Sequence, residues 1–582
     1  MTVEKLITDH IDIWASALQT RSTAGRGSNG KIDLYGIKKL RELILELAVR
    51  GKLVPQDPND EPASELLKRI AAEKAELVKQ GKIKKQKPLP EISEDEKPFE
   101  LPGGWEWVRL GFITNYGECD KAEPTDANAD TWIVELEDIE KSTSKLLNRV
   151  KFSERPFKSS KNKFYKNDVL YGKLRPYLDK VLVADDSGVC TTEIIPIKVY
   201  GNILPDYLRL LLKSPRFIAY ANKSAHGMNL PRLGTDKAIH AMVELTSIAE
   251  QARIVNKVDE LMSLCDQLEQ QYLTNLEAHQ QLVETLLATL TDSKNAKELA
   301  GNWARISQHF DTLFITEASI EALKQTILQL AVMGKLVPQD PNDEPASELL
   351  KRIEQEKAQL VKEGKIKKQK PLPPVSHEEQ YFDKPDWWVN VCSEDVADFI
   401  DPQPSHRTPA EYEGGVPYIG YTDIDHENGI DFSDSRKVSP EVLLEHNERY
   451  TLEEGDFVFG KIGTLGKPFF LKPPFNYCLS ANLILIQPKK SFIYPEFLAL
   501  YMDSPIFINI LSEGKTNSTH AVFGIKKARQ LNIPLPSLKE QRSIIDKVFN
   551  LFMICDRLKS RLQSAQQTQL HLADALTDAA LN

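Results

Sequence analysis

The sequence predicts an α+β protein made of two similar units, each with one mixed domain of helices and strands and one long helix. Three features carry this prediction: an internal repeat, two regions of short β-rich segments, and two long helical stretches. The repeat is identical over twenty residues, since Gly51–Ile70 (GKLVPQDPNDEPASELLKRI) recurs as Gly334–Ile353. A chain of 582 residues also exceeds the roughly 250–300 residues that one hydrophobic core supports.

Residues 1–104 are predicted to form a helical region followed by a linker. Residues 22–30, rich in Gly and Ser, predict a flexible connector inside this region. One helix is expected to end at Gly51, because a glycine commonly follows a helix end, and a second is expected at Ala63–Lys79. The charged, proline-bearing segment that follows is expected to be extended.

Residues 105–246 are predicted to form the first mixed domain, because short β-rich runs alternate there with turn residues. A helical piece is expected at Asp206–Ser214. The expected strands are Trp107–Leu110, Trp132–Leu136, Val169–Tyr171, Lys180–Val183 and Glu193–Val199.

Residues 247–290 predict one long helix with a coiled-coil seam, because apolar residues recur there at spacings of four and three without Gly or Pro. About 40 residues in a helix would span about 60 Å. The seam residues are Ile254, Val258, Leu261, Cys265, Leu268, Tyr272, Leu276, Val283, Leu286 and Leu290.

The second copy follows the same plan. Residues 291–386 form a central helical region that repeats 40–104, residues 387–536 a second mixed domain, and residues 537–582 a second long helix. Framework segments match between the copies, for example Asn167–Lys173 (NDVLYGK) with Gly455–Lys461 (GDFVFGK). Outside these segments the mixed domains differ, which predicts a scaffold that meets one kind of partner twice and two domains that meet different targets.

Composition indicates an ordinary globular protein of the cytoplasm, with 41% hydrophobic and 27% charged residues. No apolar run approaches the roughly 18–20 residues of a membrane span, and the amino-terminal residues lack the basic start of a secretory signal. We therefore expect no membrane association. A net charge of −10 argues against an indiscriminate nucleic-acid binder but permits local basic surfaces.

Four of the six cysteines stand at matching places in the two copies and are predicted to be small core residues and not disulfides or metal ligands. No CxxC pair occurs among them. Two pairs stand at matching places in the two copies, Cys190 with Cys478 and Cys265 with Cys555.

The search for catalytic motifs predicts neither catalytic residues nor a metal site. No GxxxxGK[ST] phosphate loop, GxGxxG fingerprint or HExxH motif occurs. Pro473, Pro474 and Phe475 resemble the loop with which amino-methyltransferases hold an amine, but Lys472 stands where that loop has its acid or amide. Asp168 and Asp456 each precede a strand, where turn formation explains them.

The segment Lys151–Lys180 gives the best indication of nucleic-acid contact, with nine cations against three acids and interspersed aromatics. The alternative interpretation is a solvated basic face. Candidate residues also occur in the loop 226–237 and at comparable places of the second mixed domain. The predicted DNA-binding residues are Lys163, Lys166, Tyr171, Lys173, Arg175, Tyr177, Asn229, Arg232, Lys461, Lys467, Lys515, Asn517 and Lys526.

Three segments and the two-copy plan resemble the specificity (S) subunit of type I DNA restriction-modification systems. The segments are Glu100–Leu110 (ELPGGWEWVRL), Ser247–Leu261 (SIAEQARIVNKVDEL) and Ser537–Leu551 (SLKEQRSIIDKVFNL). The proline-bearing entry IPLPSLKEQ at Ile533–Gln541 is typical of that family, and the first copy, VELTSIAEQ, lacks these prolines. The duplicated block resembles the longer class of these subunits.

The resemblance implies that each mixed domain is a target-recognition domain for one half of a bipartite, asymmetric DNA sequence. It implies that the two long helices pack antiparallel as a ruler between the half-sites. Two methyltransferase (modification) subunits with S-adenosylmethionine would methylate adenine N6, and restriction/translocase subunits would use ATP and Mg. The chain itself would bind double-stranded DNA without a cofactor of its own.

Two other hypotheses stay open at this point. A self-contained methyltransferase or nuclease predicts methylation or cleavage by the isolated chain. A coiled-coil scaffold that binds only proteins is permitted by the long seams but leaves the basic, aromatic-rich segment unexplained.

Overall fold

The computed structural model describes residues 3–21, 31–364, 384–405, 407–426, 428–460, 467–513 and 524–581. These residues group into two units. Unit 1 contains 3–21, 31–274 and 566–581, and unit 2 contains the described residues between 275 and 565. The last segment of the second long helix therefore belongs to unit 1, a grouping that the linear repeat did not predict.

Unit 1 begins with a helical region that includes two short strands, β1 and β2, which pair antiparallel. The sequence predicted only helices here, and residues 22–30 lie outside the described residues. The elements are α1 (Val3–Thr8), α2 (Ile11–Ser16), β1 (Gln19–Arg21), β2 (Lys31–Asp33), α3 (Tyr35–Val49) and α4 (Ala63–Lys79).

The predicted glycine end of α3 is confirmed. Gly51 has φ +66°, and a Cβ there would lie 2.5 Å from the ring of Pro102. Both the backbone angle and the close contact exclude a larger residue. The second predicted helix is confirmed as α4 over the same residues.

The first mixed domain contains a five-stranded sheet, a three-stranded sheet and one strand pair. Their strand orders are β4-β7-β10-β5-β6, β11-β8-β9 and β12-β3. The elements are β3 (Glu106–Arg109), α5 (Leu110–Ile113), β4 (Lys121–Ala122), β5 (Trp132–Val134), β6 (Val150–Lys151), β7 (Lys161–Phe164), β8 (Val169–Gly172), β9 (Val181–Val183), β10 (Gly188–Cys190), β11 (Ile194–Ile197), α6 (Pro205–Lys213), α7 (Pro215–Ser224), α8 (Thr235–His240) and β12 (Met242–Leu245).

The long helix α9 (Ile248–Thr291) leads into the helical region of unit 2, and the second mixed domain follows. That region holds α10 (Ala296–Gln308), α11 (Phe310–Leu313), α12 (Glu317–Val332) and α13 (Ala346–Lys362). The second mixed domain and the helix after it are β13 (Val389–Cys392), α14 (Ser393–Val396), β14 (Ala397–Ile400), β15 (Val416–Ile419), β16 (Ile424–Asp425), β17 (Gly429–Ile430), β18 (Arg436–Val438), α15 (Pro440–Arg449), β19 (Phe457–Gly460), β20 (Phe469–Phe470), β21 (Cys478–Leu479), β22 (Leu483–Pro488), α16 (Pro495–Asp503), α17 (Pro505–Glu513), α18 (Ile525–Arg529), β23 (Asn532–Leu535) and α19 (Leu538–Leu581).

The two mixed domains share a strand arrangement despite their different sequences. In the first, β8 lies between β11 and β9, and in the second β19 lies between β22 and β20. Among the described residues, each domain has one parallel pair, β10 with β5 and β15 with β21. In each domain the last strand, directly before the long helix, pairs antiparallel with the first strand: β12 with β3 and β23 with β13.

Each long helix contributes to the hydrophobic cores of both units. The core of unit 1 holds Val258 and Cys265 of α9 together with Ala573 of α19. The core of unit 2 holds Val548 and Cys555 of α19 together with Leu290 of α9. The long helices are confirmed, and so is the burial of Cys190, Cys265, Cys478 and Cys555.

A Glu-Gln pair at the start of each long helix fastens the helix to the mixed domain before it. Gln541 is fully buried; its side-chain nitrogen donates to the carbonyls of Phe492 (3.2 Å) and Pro536 (3.1 Å), and its oxygen accepts from the amide of Tyr494 at 2.9 Å. Glu540 accepts from the indole of Trp388 at 3.0 Å.

Unit 1 repeats this fastening with its own Glu-Gln pair. Gln251 donates to the Thr246 carbonyl at 2.9 Å and accepts from the Leu204 amide at 3.1 Å. Glu250 accepts from the indole of Trp105 at 2.9 Å. The Glu-Gln pair, called the EQ motif below, therefore fixes the position of each mixed domain relative to the start of the long helix that follows it.

A buried histidine in the second mixed domain makes the stability of unit 2 depend on pH. His446 on α15 lies 2.9 Å from both the Gln403 side-chain oxygen and the Tyr450 hydroxyl, and its burial lowers its pKa to about 4. The same group titrates near 6.5 in an unfolded chain. Acid therefore favours the unfolded state, because that state binds the proton first.

We expect the free energy of unfolding of unit 2 to fall as the pH drops from about 6.5 to about 4. The His446→Gln variant should lose about 1.4 kcal/mol per pH unit of this slope within that window. Denaturant unfolding at several pH values measures the slope, with His571→Gln, at an exposed site on α19, as the control. Equal slopes in the wild type and His446→Gln would contradict the prediction.

Candidate nucleic-acid interface

Two loops meet on the surface of the first mixed domain. Loop A (residues 173–180) follows β8, and loop B (residues 225–234) follows α7. The Arg175 amide donates to the Pro231 carbonyl at 2.7 Å, and the Leu233 amide donates to the Lys173 carbonyl at 3.0 Å. The fold thus brings together predicted residues that are distant in sequence.

Loops A and B expose an unusual combination of side chains. Arg175 and Asn229 are exposed, and the Arg175 guanidinium approaches the Asn229 carbonyl at 3.5 Å. Beside them Tyr177 is 52% exposed, and Met228 is fully exposed. Large apolar side chains clustered on an otherwise polar surface mark a binding surface more often than a solvated one.

Met228 and Leu230 were not among the residues predicted from the sequence. Leu230 is 44% exposed and, like Met228, lies in loop B. The available signal was the segment Gly227–Gly234 (GMNLPRLG), which places apolar residues between turn formers without a helix or strand period. Such a segment cannot bury both apolar side chains through regular structure.

Two predicted residues have other roles. Tyr171 is 3% exposed and lies in the core, with its ring centroid 6.0 Å from that of Phe217. It offers no surface to DNA, so this prediction is wrong, because β8 is a central strand buried on both faces. Arg232 pairs with Glu193 at 3.0 Å, and this pairing anchors loop B to the end of β10 and the start of β11.

Several cations of the basic segment Lys151–Lys180 already have partners within the first mixed domain. Lys151, Arg155 and Lys161 form ion pairs with Asp130, Asp138 and Glu135, all from outside the segment. Lys180 donates to the Leu136 carbonyl at 2.6 Å. Part of this segment therefore stabilises the domain internally.

Lys163 and Lys166 lie on and after β7, in the five-stranded sheet and not in loop A or loop B. Lys166 is exposed, whereas Lys163 is half-buried with its ammonium 3.5 Å from the Asp126 carboxylate. Neither residue belongs to the surface that loops A and B form.

Two of the five DNA-binding residues predicted in the second mixed domain lie within the described part of the chain. Lys467 is exposed, its amide donates to the Tyr421 hydroxyl at 3.1 Å, and its ammonium lies 3.8 Å from the Glu321 carboxylate. Lys526 is exposed on α18. The predictions of Lys461, Lys515 and Asn517 lie outside the described residues.

Loops A and B present cations, an amide side chain and exposed aromatic and apolar surface. Within the ranges that the structure describes, no group of three His, Cys, Asp or Glu side chains could hold a metal ion. No helix in those same ranges is long and apolar enough to cross a membrane.

Comparison with known proteins gives one consistent result. Residues 385–565 match the family model described as the type I restriction modification DNA specificity domain. The whole chain is 48% identical to the full length of the type I restriction enzyme EcoAI specificity subunit of Escherichia coli. It is 49% identical to the full length of the EcoEI specificity subunit of the same organism.

A solved structure shows the same fold. It comes from work on complex assembly and conformational transition of a type I R-M system. The match has a TM-score of 0.50 at 20% identity and covers 83% of this chain and 99% of the solved chain.

Proposed function

Because the chain belongs to the family of type I restriction enzyme specificity subunits, we propose that it recognises a bipartite, asymmetric DNA target for a type I restriction-modification complex. The observation that carries this proposal for the chain's own residues is the joined surface of loops A and B. This surface offers an arginine fork, an amide and exposed aromatic and apolar side chains, which are the groups that read base edges and methyl groups.

Each mixed domain reads one half of the target in this proposal. The shared strand arrangement supports it, because two similar frames can present different loops to two different half-sites. Duplex DNA has a local two-fold relation between its strands, so a protein with internal two-fold character meets both strands in equivalent ways.

The two long helices set the distance between the half-sites and pack antiparallel. Each is 44 residues long, or about 66 Å at 1.5 Å per residue. Buried residues of these helices, such as Cys265 in unit 1 and Cys555 in unit 2, anchor each helix in the core of the unit that contains them.

The repeated helical regions bind two modification subunits, which carry S-adenosylmethionine and methylate adenine N6 after flipping the base out of the stack. Restriction/translocase subunits add ATP- and Mg-dependent cleavage. The chain itself is non-catalytic, needs no cofactor and acts in the cytoplasm. In each unit an ion pair joins the helical region to a long helix: Arg41 pairs with Asp266 in unit 1 (2.5 Å), and Lys324 pairs with Asp556 in unit 2 (2.6 Å). These matching ion pairs support the proposal that the two helical regions offer equivalent docking sites.

The reading residues fall into two groups. Lys173, Arg175, Tyr177 and Asn229, joined by Met228 and Leu230, face the bases of one half-site. The remaining cations set the register through phosphates, and they are Lys163 and Lys166 in the first domain and Lys461, Lys467, Lys515 and Lys526, beside Asn517, in the second.

The test is adenine methylation by the chain alone and after co-expression with the methyltransferase gene that accompanies it. We expect sequence-selective methylation only in the combined sample, with the modified adenines marking both half-sites. Methylation by the isolated chain would indicate an enzyme. Absence of sequence selectivity in both samples would favour a scaffold that binds only proteins.

A further inference from the structure

Lys213 is a buried lysine that the recognition chemistry does not use directly. It ends α6, is 8% exposed, and donates to the Ser142 carbonyl (2.8 Å), the Ser144 hydroxyl (2.8 Å) and the Asp179 carboxylate (2.6 Å). Three acceptors satisfy all three donors of an ammonium group. Asp179 belongs to loop A, and the two serines belong to loop C (residues 140–146).

The same two loops hold most of the unfavourable backbone in the described chain. Six described residues other than glycine have positive φ, and two of them are asparagines in other loops. Asparagine and aspartate tolerate such angles better than other non-glycine residues. The other four are Ser142 (65°), Ser144 (60°), Arg175 (50°) and Asp179 (50°). All four lie in loops A and C, and such conformations persist only where the surroundings impose them.

Hydrogen bonds join loops A and C around the lysine. The Ser144 hydroxyl donates to the Asp179 carbonyl at 2.8 Å and accepts from the Val181 amide at 3.0 Å. The Ser142 amide donates to the Leu178 carbonyl at 3.0 Å, at the end of the short turn that carries Tyr177. The lysine thus lies behind the turn whose outer face presents Arg175 and Tyr177.

The second mixed domain uses the opposite polarity at the same place. α16 matches α6 in length and in the serine after it, since Ser214 and Ser504 each accept from the amide three residues later. The residue that corresponds to Lys213 is Asp503, whose pKa burial raises to about 6 while the positive charge of Lys467 opposes that rise. Among its described residues, no non-glycine residue has positive φ.

We propose that Lys213 is a positioning residue for DNA specificity: it holds loops A and C in a strained arrangement that aims Arg175 and Tyr177, and so sets the base preference of one half of the target. This inference rests on the proposed function. It predicts that losing the ammonium changes which bases are read in one half-site and leaves the other half-site as it was.

The experiment uses the full chain assembled with its modification subunits and a DNA library randomised in both half-sites. Lys213→Met keeps the length of the side chain and removes its three donors, and Asp179→Asn keeps a residue that tolerates positive φ and removes the charge. We expect Lys213→Met to lower discrimination between bases about tenfold in one half-site only. Asp179→Asn should show a smaller loss in the same half-site. Lys198→Met, at an exposed lysine directly after β11, is the matched control and should keep both preferences.

The ratio of preferences within one sample does not depend on how much protein is folded, so general destabilisation would not imitate the expected result. Unchanged preference in both half-sites, or equal loss in both, would overturn the positioning role. If the wild-type complex itself shows no preference, the proposed function fails. Hydrogen exchange then decides the positioning role: faster exchange in loops A and C of Lys213→Met with unchanged β8 supports it, and unchanged loops overturn it.

Discussion

Replacing Gln541 with leucine should lower the free energy of unfolding of unit 2 by about 4 kcal/mol. The substitution leaves the Phe492 and Pro536 carbonyls and the Tyr494 amide without a partner. Each unpaired buried polar group costs about 1–3 kcal/mol. Denaturant unfolding followed by hydrogen exchange measures the loss for each unit separately.

Gln530→Leu, at an exposed glutamine after α18, is the matched control and should change stability by less than about 0.5 kcal/mol. Gln251→Leu should cause a similar but smaller loss in unit 1, where the side chain has two backbone partners. A loss below about 1 kcal/mol for Gln541→Leu would mean that water replaces the side chain and that the EQ motif does not fasten the domain.

The double substitution Lys173→Ala with Arg175→Ala should weaken binding of the assembled complex to its target at least about 100-fold. Two cations are lost from the joined loops, and an arginine fork on a guanine alone accounts for about 1–3 kcal/mol. Fluorescence anisotropy at several salt concentrations measures the affinity. The slope of log affinity against log salt should change by less than about 1, since counterion release scales with the number of phosphate contacts and these two side chains face the bases.

Lys547→Ala with Arg557→Ala removes the same charge from exposed positions on α19 and should leave affinity unchanged. Full affinity in the Lys173/Arg175 variant would remove loops A and B from the interface. Weaker binding with an unchanged base preference would show that these side chains contact only phosphates.

The sequence predicted the helical framework well, because helix signals are local. The period of four and three fixed α9 and α19 to within one residue, and Gly51 and Gly334 marked helix ends through their positive φ. In the first mixed domain the strands β4, β6, β7, β10 and β12 were missed. They are two to four residues long, so each is too short to show a clear alternation of apolar and polar residues.

The candidate interface was predictable only in part, because surface and core cannot be told apart from composition alone. Tyr171 has the same residue type as Tyr177, yet β8 is buried on both faces while loop A points outward. The acids that neutralise Lys151 and Arg155 come from outside the basic segment, so a count within that segment overestimates its free charge. The meeting of loops A and B depends on tertiary structure.

The core of unit 1 includes residues from the end of the chain, so unit 1 can complete its folding only late in synthesis. Unit 1 needs Ala573 of α19, which is fully buried, together with Leu570 and Leu576 packed around it. A ribosome therefore translates the whole of unit 2 before the earlier unit can complete its interior. A premature stop codon after residue 565 would remove these α19 residues from the core of unit 1, although unit 1 is the part of the protein that is made first.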